Sequence, residues 1–232
     1  ILSLGAMLIG FAPIFVKWSL LSSSAIAFYR MSLTIPFLFG LNYLLNGRLK
    51  FRVKNKRTII YAAFASLAFT TDLTLWHYSM GITSVSNATI IVNSAPIFVA
   101  ILSFIFFKEK LSKGFVVSFL VTYLGIVGLI YYSNNYINGK ILGDILCMIA
   151  AFFYAVYLLV IARLGKENSL NIIFYTTLFC CLFSIIPMII EGGDIFPSSK
   201  FEWINLLLLA VLCQLGGQYL ITHAIGKISA SE

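Results

Sequence analysis

Long apolar stretches constrain the fold of this chain more than any other feature of its sequence. Seven are long enough to cross a bilayer, which takes about 20 mostly apolar residues. They are residues 24–46, 58–80, 85–107, 113–132, 141–163, 169–190 and 202–223, and residues 1–16 make up most of an eighth. With 60% hydrophobic and 10% charged residues, the chain has too much apolar surface for a single water-exposed globule. We therefore predict an all-α, polytopic helical membrane protein.

Positive charges are distributed unevenly among the connectors between these stretches. Twelve of the sixteen Lys and Arg residues lie in alternate connectors, six of them in residues 46–57. Because cytoplasmic loops of helical membrane proteins carry such an excess, we predict a cytoplasmic N-terminus in the cytoplasmic membrane. The positive connectors thus explain the net charge of +8. We expect the lipid bilayer as a partner and no nucleic acid. The abundance of Ile, Phe, Asn, Lys and Tyr favours an AT-rich genome and a bacterial source.

The chain contains a weak internal repeat. SMGITSVSN (79–87) is echoed by AIGKISASE (224–232), an offset of 145 residues (224 minus 79) that also places Ser24 on Ser169 and Gly47 on Gly192. Because each unit holds five predicted helices, an odd number, two copies must enter the membrane in opposite directions, as an inverted repeat. We predict a first repeat in residues 1–132 and a second, incomplete repeat in residues 140–232, with a further helix starting at residue 228.

About eight helices are thus expected in this chain, and ten in the full protein. Residues 1–16 have no initiating Met and no cleavage pattern, so we interpret them as a clipped first helix and not as a signal peptide.

The order of these motifs resembles the drug/metabolite transporter superfamily, EamA type. The resemblance covers essentially the whole chain and is carried by Gly10, Lys17, Ser24, Arg30, residues 79–112 with their turn, Pro96 and Lys-Glu end, and the echo at 224–232. It implies a ten-helix carrier that moves small metabolites across a cell membrane. The family shares no single substrate.

Two ionisable residues lie within the apolar stretches of the first half. Arg30 is about two turns inside the second stretch and Asp72 lies inside the third. An ionisable group in hydrocarbon is costly and usually functional, so we predict that both bind substrate. Either the two form a direct pair, which would also suit a purely structural role, or they face one polar cavity. Asp72 is in addition a candidate for proton coupling.

The segment that follows Asp72 adds two aromatic candidates. Trp76 is one helical turn beyond Asp72 on the same face, where it could stack on a substrate. His77 could relay protons. Alternatively, His77 and Tyr78 belong to an aromatic belt at the membrane surface, which is the interpretation we favour.

The remaining candidates are polar or conformational. We predict substrate contacts from Asn93, Tyr175, Gln214 and Gln218, with Tyr154 and Tyr157 as further aromatic possibilities, and a helix kink at Pro96. Tyr175 is included because the 145-residue offset places it on Arg30. The adjacent Gly216 and Gly217 should permit close helix approach or bending.

No cofactor chemistry is predicted. All four cysteines lie inside predicted helices without His at ligand spacing, so we expect no disulfide and no metal. Small residues at four-residue spacing in 114–122 favour helix contact within the bundle over a homodimer, although a dimer is left open.

A carrier of a small organic metabolite, such as an amino acid or related carboxylate, explains these features best. An enzyme is disfavoured because acids are sparse and the sequence has no H-E-x-x-H motif. A receptor or scaffold without transport is the alternative, but it gives no reason for an inverted repeat.

Overall fold

The computed structural model of the chain describes residues 1–47, 49, 51–53, 55–108, 141–165 and 167–225, with scattered positions between 114 and 128. The described helices are α1 (Leu2–Ile9), α2 (Ala12–Trp18), α3 (Ser23–Asn46), α4 (Lys56–Ser79), α5 (Val85–Val92), α6 (Ala95–Phe107), α7 (Ile141–Arg163), α8 (Ser169–Glu191), α9 (Lys200–Leu208) and α10 (Tyr219–Ile225). Residues Leu209–Gln218, between α9 and α10, form a π-helix. The predicted all-helical membrane fold is confirmed.

Among the described residues, six helical stretches are long and apolar enough to cross a membrane, counting α5–α6 and α9–α10 as one stretch each. The predicted helices 24–46, 58–80, 141–163 and 169–190 correspond to α3, α4, α7 and α8, and their ends differ by at most two residues. Most of the predicted helix 113–132, and the helix start at 228, lie outside the described residues.

Three predicted helices are interrupted. Residues 1–16 form α1 and α2 around a turn at Gly10 and Phe11, so a single helix there is wrong. The stretch 85–107 is broken at Asn93 and Ser94. In α2 and α6 a proline occupies the first turn, where its missing N–H has no intrahelical partner to lose. The stretch 202–223 starts earlier and is π-helical in its middle.

The helix ends gather at two opposite ends of the bundle. Thr58 Oγ1 donates to Glu167 Oε1 at 3.2 Å, and the Arg163 guanidinium lies 3.4 Å from the Phe107 ring centroid. We call this the basic end, because Arg57, Lys108 and Arg163 lie there. The opposite end, where Glu191 accepts from the first N–H groups of α3, is called the acidic end and also carries Asp194 and Glu202.

Contacts along the helices give their directions. Helix α3 begins at the acidic end and α8 ends there, so these two packed helices are antiparallel. Helix α4 begins at the basic end, whereas α9 begins at the acidic end. The α1–α2 stretch runs from the basic to the acidic end and α7 runs the opposite way. In the three pairs of corresponding helices that the structure describes, the two members therefore run in opposite directions, as an inverted repeat requires.

A contact between a serine and a histidine occurs in each half, through the serine carbonyl oxygen in the first and the serine hydroxyl in the second. His77 Nδ1 lies 3.1 Å from the Ser23 carbonyl oxygen, and His223 Nδ1 lies 3.3 Å from Ser169 Oγ; each pair is separated by 54 residues. Each serine is the first residue of its helix, α3 or α8. In the first half the contact joins the start of α3 to the end of α4. In the second half it joins the start of α8 to the end of α10. We call these contacts the Ser–His ties.

Two glycines allow α1 to cross the π-helix closely. A Cβ added at Gly217 would lie 2.6 Å from Ile9 Cγ1 and 3.1 Å from the Gly5 carbonyl oxygen, and a Cβ at Gly5 would lie 3.0 Å from the Gly217 oxygen. Side chains at either position would force the backbones apart. The predicted role of Gly217 in close approach is therefore supported by the geometry.

Candidate functional site

A cavity of about 500 Å³ lies between the two halves of the bundle. Its walls come from α1–α2, α3, α4, α5–α6, α7 and the π-helix–α10 stretch. The lining includes five of the predicted site residues together with the predicted kink residue: Arg30, Asp72, Trp76, Asn93, Gln218 and Pro96. Residues remote in sequence thus converge on one chamber, as the alternative with charges facing a common cavity requires.

Arg30 lines this chamber and has one donor without a hydrogen-bond partner. The residue is 2% exposed and lines the cavity. Its Nε donates to Gln214 Oε1 at 3.1 Å, whereas Nη1 is buried without a hydrogen-bond partner. A guanidinium is always charged and carries five donors, so an unpaired N–H at such depth is costly. The cavity is therefore the place where a guest can complete the bonding of Arg30.

Asp72 and Trp76 present polar atoms of the same kind. Asp72 Oδ1 and Trp76 Nε1 are both buried without partners. No hydrogen bond or ion pair joins Arg30 to Asp72 in the described part of the chain, so the predicted direct pair is wrong. The three residues Arg30, Asp72 and Trp76, each with one buried polar atom that has no partner, thus line one mostly apolar space.

Stacked aromatic rings form one wall. The rings of Phe69 and Tyr157 are 4.5 Å apart and 17° from parallel, and Tyr154 stacks on Tyr157 at 6.0 Å. Phe69 and Tyr154 line the cavity, and Gln218 Nε2 donates to the Tyr157 hydroxyl at 3.1 Å. Phe69 was not predicted. Its position three residues before Asp72 is one helical turn away, which is the signal that could have identified it.

The break in the fourth predicted helix also faces the cavity. Asn93 ends α5 and its Nδ2 donates to the Thr89 carbonyl oxygen at 2.7 Å. Pro96 lies in the first turn of α6, and both residues line the chamber. Irregular backbone at membrane depth is tolerated where it lines a cavity. The break therefore supplies polar groups without exposing unpaired backbone to lipid.

Three predicted residues lie outside the cavity lining. Tyr175 lies near the start of α8, close to the basic end. Its hydroxyl donates to the Phe51 carbonyl oxygen, so the side chain points away from the centre of the bundle. Gln214 contacts the chamber only through Arg30. His77 is 3% exposed, so its assignment to a surface belt is wrong, whereas Tyr78 is 50% exposed.

The cavity extends toward one end of the bundle. Its lining includes Leu2, Ala162 and Ile225, which lie at the basic ends of their helices. No described residue of the connectors at the acidic end lines it. There, Glu202 Oε1 accepts from the Leu20 N–H at 3.0 Å and Glu191 Oε2 accepts from the Ser24 N–H at 2.8 Å. These contacts join the two halves at the acidic end.

Comparison of the sequence with known protein families agrees with this architecture. The sequence model of the EamA-like transporter family matches residues 1–131 and 141–232. The chain belongs to the EamA-like transporter family. The matched ranges cover nearly the whole chain, and the predicted resemblance is confirmed. The EamA-like assignment identifies the chain as a membrane protein of a transporter family and points away from an enzyme.

Two curated relatives agree with the EamA-like assignment. An uncharacterized transporter in the sor 3' region of Acidianus ambivalens is 26% identical over 59% of this chain and 53% of its own length. Solute carrier family 35 member G1 of Mus musculus is 26% identical over 65% of this chain and 44% of its own length. The chain thus spans about half the length of these relatives. A crystal structure with a TM-score of 0.72 covers the whole chain and 82% of its own length at 10% identity, and shows the shared fold.

Proposed function

We propose that the complete protein carries a small organic metabolite with a carboxylate group, such as an amino acid, across the cytoplasmic membrane by alternating access. The observation that carries this proposal is the buried guanidinium of Arg30, whose Nη1 has no protein partner and which lines the cavity between the two halves. A carboxylate accepts from a guanidinium in strong, charge-assisted bonds.

The other polar atoms of the chamber narrow the substrate class. The Asp72 carboxylate can accept from an ammonium group, and the aromatic wall of Phe69 and Tyr154 suits an apolar side chain. A zwitterion with an apolar side chain would place opposite charges on Arg30 and Asp72. A simple carboxylic acid would satisfy Arg30 alone.

The one-sided extension of the cavity supports alternating access. The chamber lies between two halves whose described corresponding helices run in opposite directions, its lining reaches the basic end, and hydrogen bonds join the halves at the acidic end. Rocking of one half against the other around such a site would exchange the open end. From the charge pattern, we assign the basic end and the N-terminus to the cytoplasm of a bacterial cell.

Counterflow tests this function. The complete protein is placed in liposomes preloaded with an unlabelled amino acid, nucleoside or organic acid, and entry of the same labelled compound is followed. We expect saturable exchange of a carboxylate-bearing compound. Absence of exchange across the whole panel, with folded protein, would favour the receptor or scaffold alternative.

Substitution of Arg30 tests the site. Arg30→Ala should abolish exchange, because no other described lining residue supplies a buried cation. Arg30→Lys should retain part of it, since an ammonium keeps the charge but not the planar fork. Lys17→Ala is the matched control: it removes an exposed cation remote from the cavity lining and should leave exchange unchanged. Equal exchange in all three variants and the natural protein would remove Arg30 from the site.

A further inference from the structure

Gln214 holds Arg30 from behind the cavity. Its Oε1 accepts from Arg30 Nε at 3.1 Å, and the residue is 1% exposed. Gln214 itself does not line the chamber, whereas Arg30 does. The amide occupies Nε, whereas Nη1, on the other edge of the guanidinium, has no hydrogen-bond partner. Gln214 therefore determines which donors of Arg30 a guest can reach.

The π-helix fixes the position of this amide. Thr34 Oγ1 donates to the Ala210 carbonyl oxygen at 3.1 Å, which ties the π-helix to α3 one turn along from Arg30. On the other side, Cys213 Sγ lies 3.2 Å from the Leu8 carbonyl oxygen, and Gly217 packs on Ile9. Contacts on two flanking elements thus hold the backbone around Gln214, so its side chain has little freedom to follow Arg30 if the guanidinium moves.

The choice of an amide has an electrostatic consequence. A carboxylate at this position would form a buried ion pair with Arg30 and compensate its charge. A carboxamide accepts the same hydrogen bond but carries no net charge. It can therefore orient the guanidinium while leaving its positive charge for an anionic guest.

We propose that Gln214 is a positioning residue that orients Arg30 without neutralising it, and that it thereby sets the preference of the cavity for an anionic over a neutral substrate. This inference rests on the proposed function, since it assumes that Arg30 binds the carboxylate of the transported compound. It adds a residue outside the cavity as a determinant of charge selectivity.

Binding of matched probes tests this role. Trp18 and Trp203 are exposed and Trp76 lines the cavity, so the Trp18→Phe/Trp203→Phe variant of the complete protein leaves Trp76 as the fluorescent reporter within the described chain. The probes are phenylacetate and its neutral isostere phenylacetamide. The measured quantity is the ratio of their two dissociation constants, which general loosening of the protein would not change selectively.

The variants separate charge from orientation. Gln214→Glu keeps the acceptor but adds a charge, so we expect the preference for phenylacetate to be lost, by on the order of tenfold or more in the ratio. Gln214→Met has a side chain of similar volume but no amide. It leaves the charge of Arg30 uncompensated and removes only the hydrogen bond to Nε, so it should reduce the preference for phenylacetate only partly. This second variant also decides the matter if the Glu variant fails to fold.

The outcomes distinguish this inference from the proposed function. If the reporter protein prefers phenylacetate and both Gln214 variants keep the full preference, the positioning role is refuted and the carboxylate site stands. If the reporter protein binds the two probes equally well, the carboxylate assignment of Arg30 fails and the role of Gln214 fails with it.

Discussion

At the scale of single residues, the site consists of buried polar atoms without partners. Arg30 and Asp72 could be predicted from the sequence because ionisable residues within apolar stretches are rare and usually functional. Their mutual arrangement could not, because it depends on how α3 and α4 pack. Tyr175 shows the limit of the repeat: an offset maps positions along the chain, but it does not fix the direction in which a side chain points.

Asp72 is the residue to test for proton coupling. Among the described residues that line the cavity it is the only acid, with Arg30 and Tyr154 as the other titratable groups. Asp72→Asn preserves shape but removes the titrating carboxyl. If a proton is carried with the substrate, we expect the pH dependence of counterflow to flatten, measured as initial rate over a range of pH. An unchanged pH profile would exclude Asp72 as the coupling group.

The control for this substitution is Asp194→Asn. Asp194 is exposed at the acidic end, and its backbone carbonyl accepts from the Ser22 N–H, a contact that the substitution leaves in place. This variant should keep the pH dependence of the natural protein.

At the scale of helices, apolar length predicts where elements begin and end better than where they break. The ends of α3, α4, α7 and α8 follow from the apolar stretches and their polar flanks. The turn at Gly10 and the π-helix Leu209–Gln218 were not predicted, because an interrupted helix keeps nearly the same apolar pattern as a continuous one. Such breaks are stabilised by neighbours, here α1 against the π-helix.

Gly217 tests that contact. In Gly217→Ala the new Cβ would lie 2.6 Å from Ile9 Cγ1 and 3.1 Å from the backbone oxygen of Gly5. The π-helix and α1 must therefore move apart. We expect the free energy of unfolding to fall by about 1–3 kcal/mol, as for other overpacked sites. The measurement is the unfolding midpoint in detergent. Gly40→Ala is the control, since an added Cβ there meets no atom within 4 Å; equal midpoints for the two variants would contradict the close crossing.

At the scale of the whole molecule, polar contacts join the two halves at the acidic end, where no described connector residue lines the cavity. Glu202 is buried and accepts from Ser19, Leu20 and Ser198, which joins the second half to the connector that precedes α3. The sequence predicted two inverted halves. It could not show that a carboxylate of one half binds backbone of the other, because these partners are separated by 182 residues.

Glu202→Gln should weaken the closure of the acidic end. In the glutamine side chain an NH₂ group replaces one carboxylate oxygen, so a donor would face N–H and O–H groups. Hydrogen bonds to charged acceptors contribute about 1.5–3 kcal/mol each. We expect labelling of a cysteine introduced at the cavity residue Thr89 by an impermeant maleimide, added from the acidic side of the membrane, to rise by about tenfold.

Asp194→Asn again provides the matched control for this measurement, since it removes a neighbouring acid whose carbonyl, not its carboxylate, makes the contact between the halves. Labelling of Thr89→Cys that is equally slow in both variants would show that Glu202 does not hold the acidic end closed.

The two Ser–His ties have a thermodynamic consequence. Each tie lies within one half, so exchange of the open end can leave both intact while the contacts between the halves break and re-form. Under the predicted inverted repeat, the conformations open to either side should contain similar sets of contacts and differ by only a few kcal/mol. A modest difference in substrate binding can shift such a balanced equilibrium. We therefore expect the direction of net flux to follow the gradients across the membrane, and not a preference fixed in the protein.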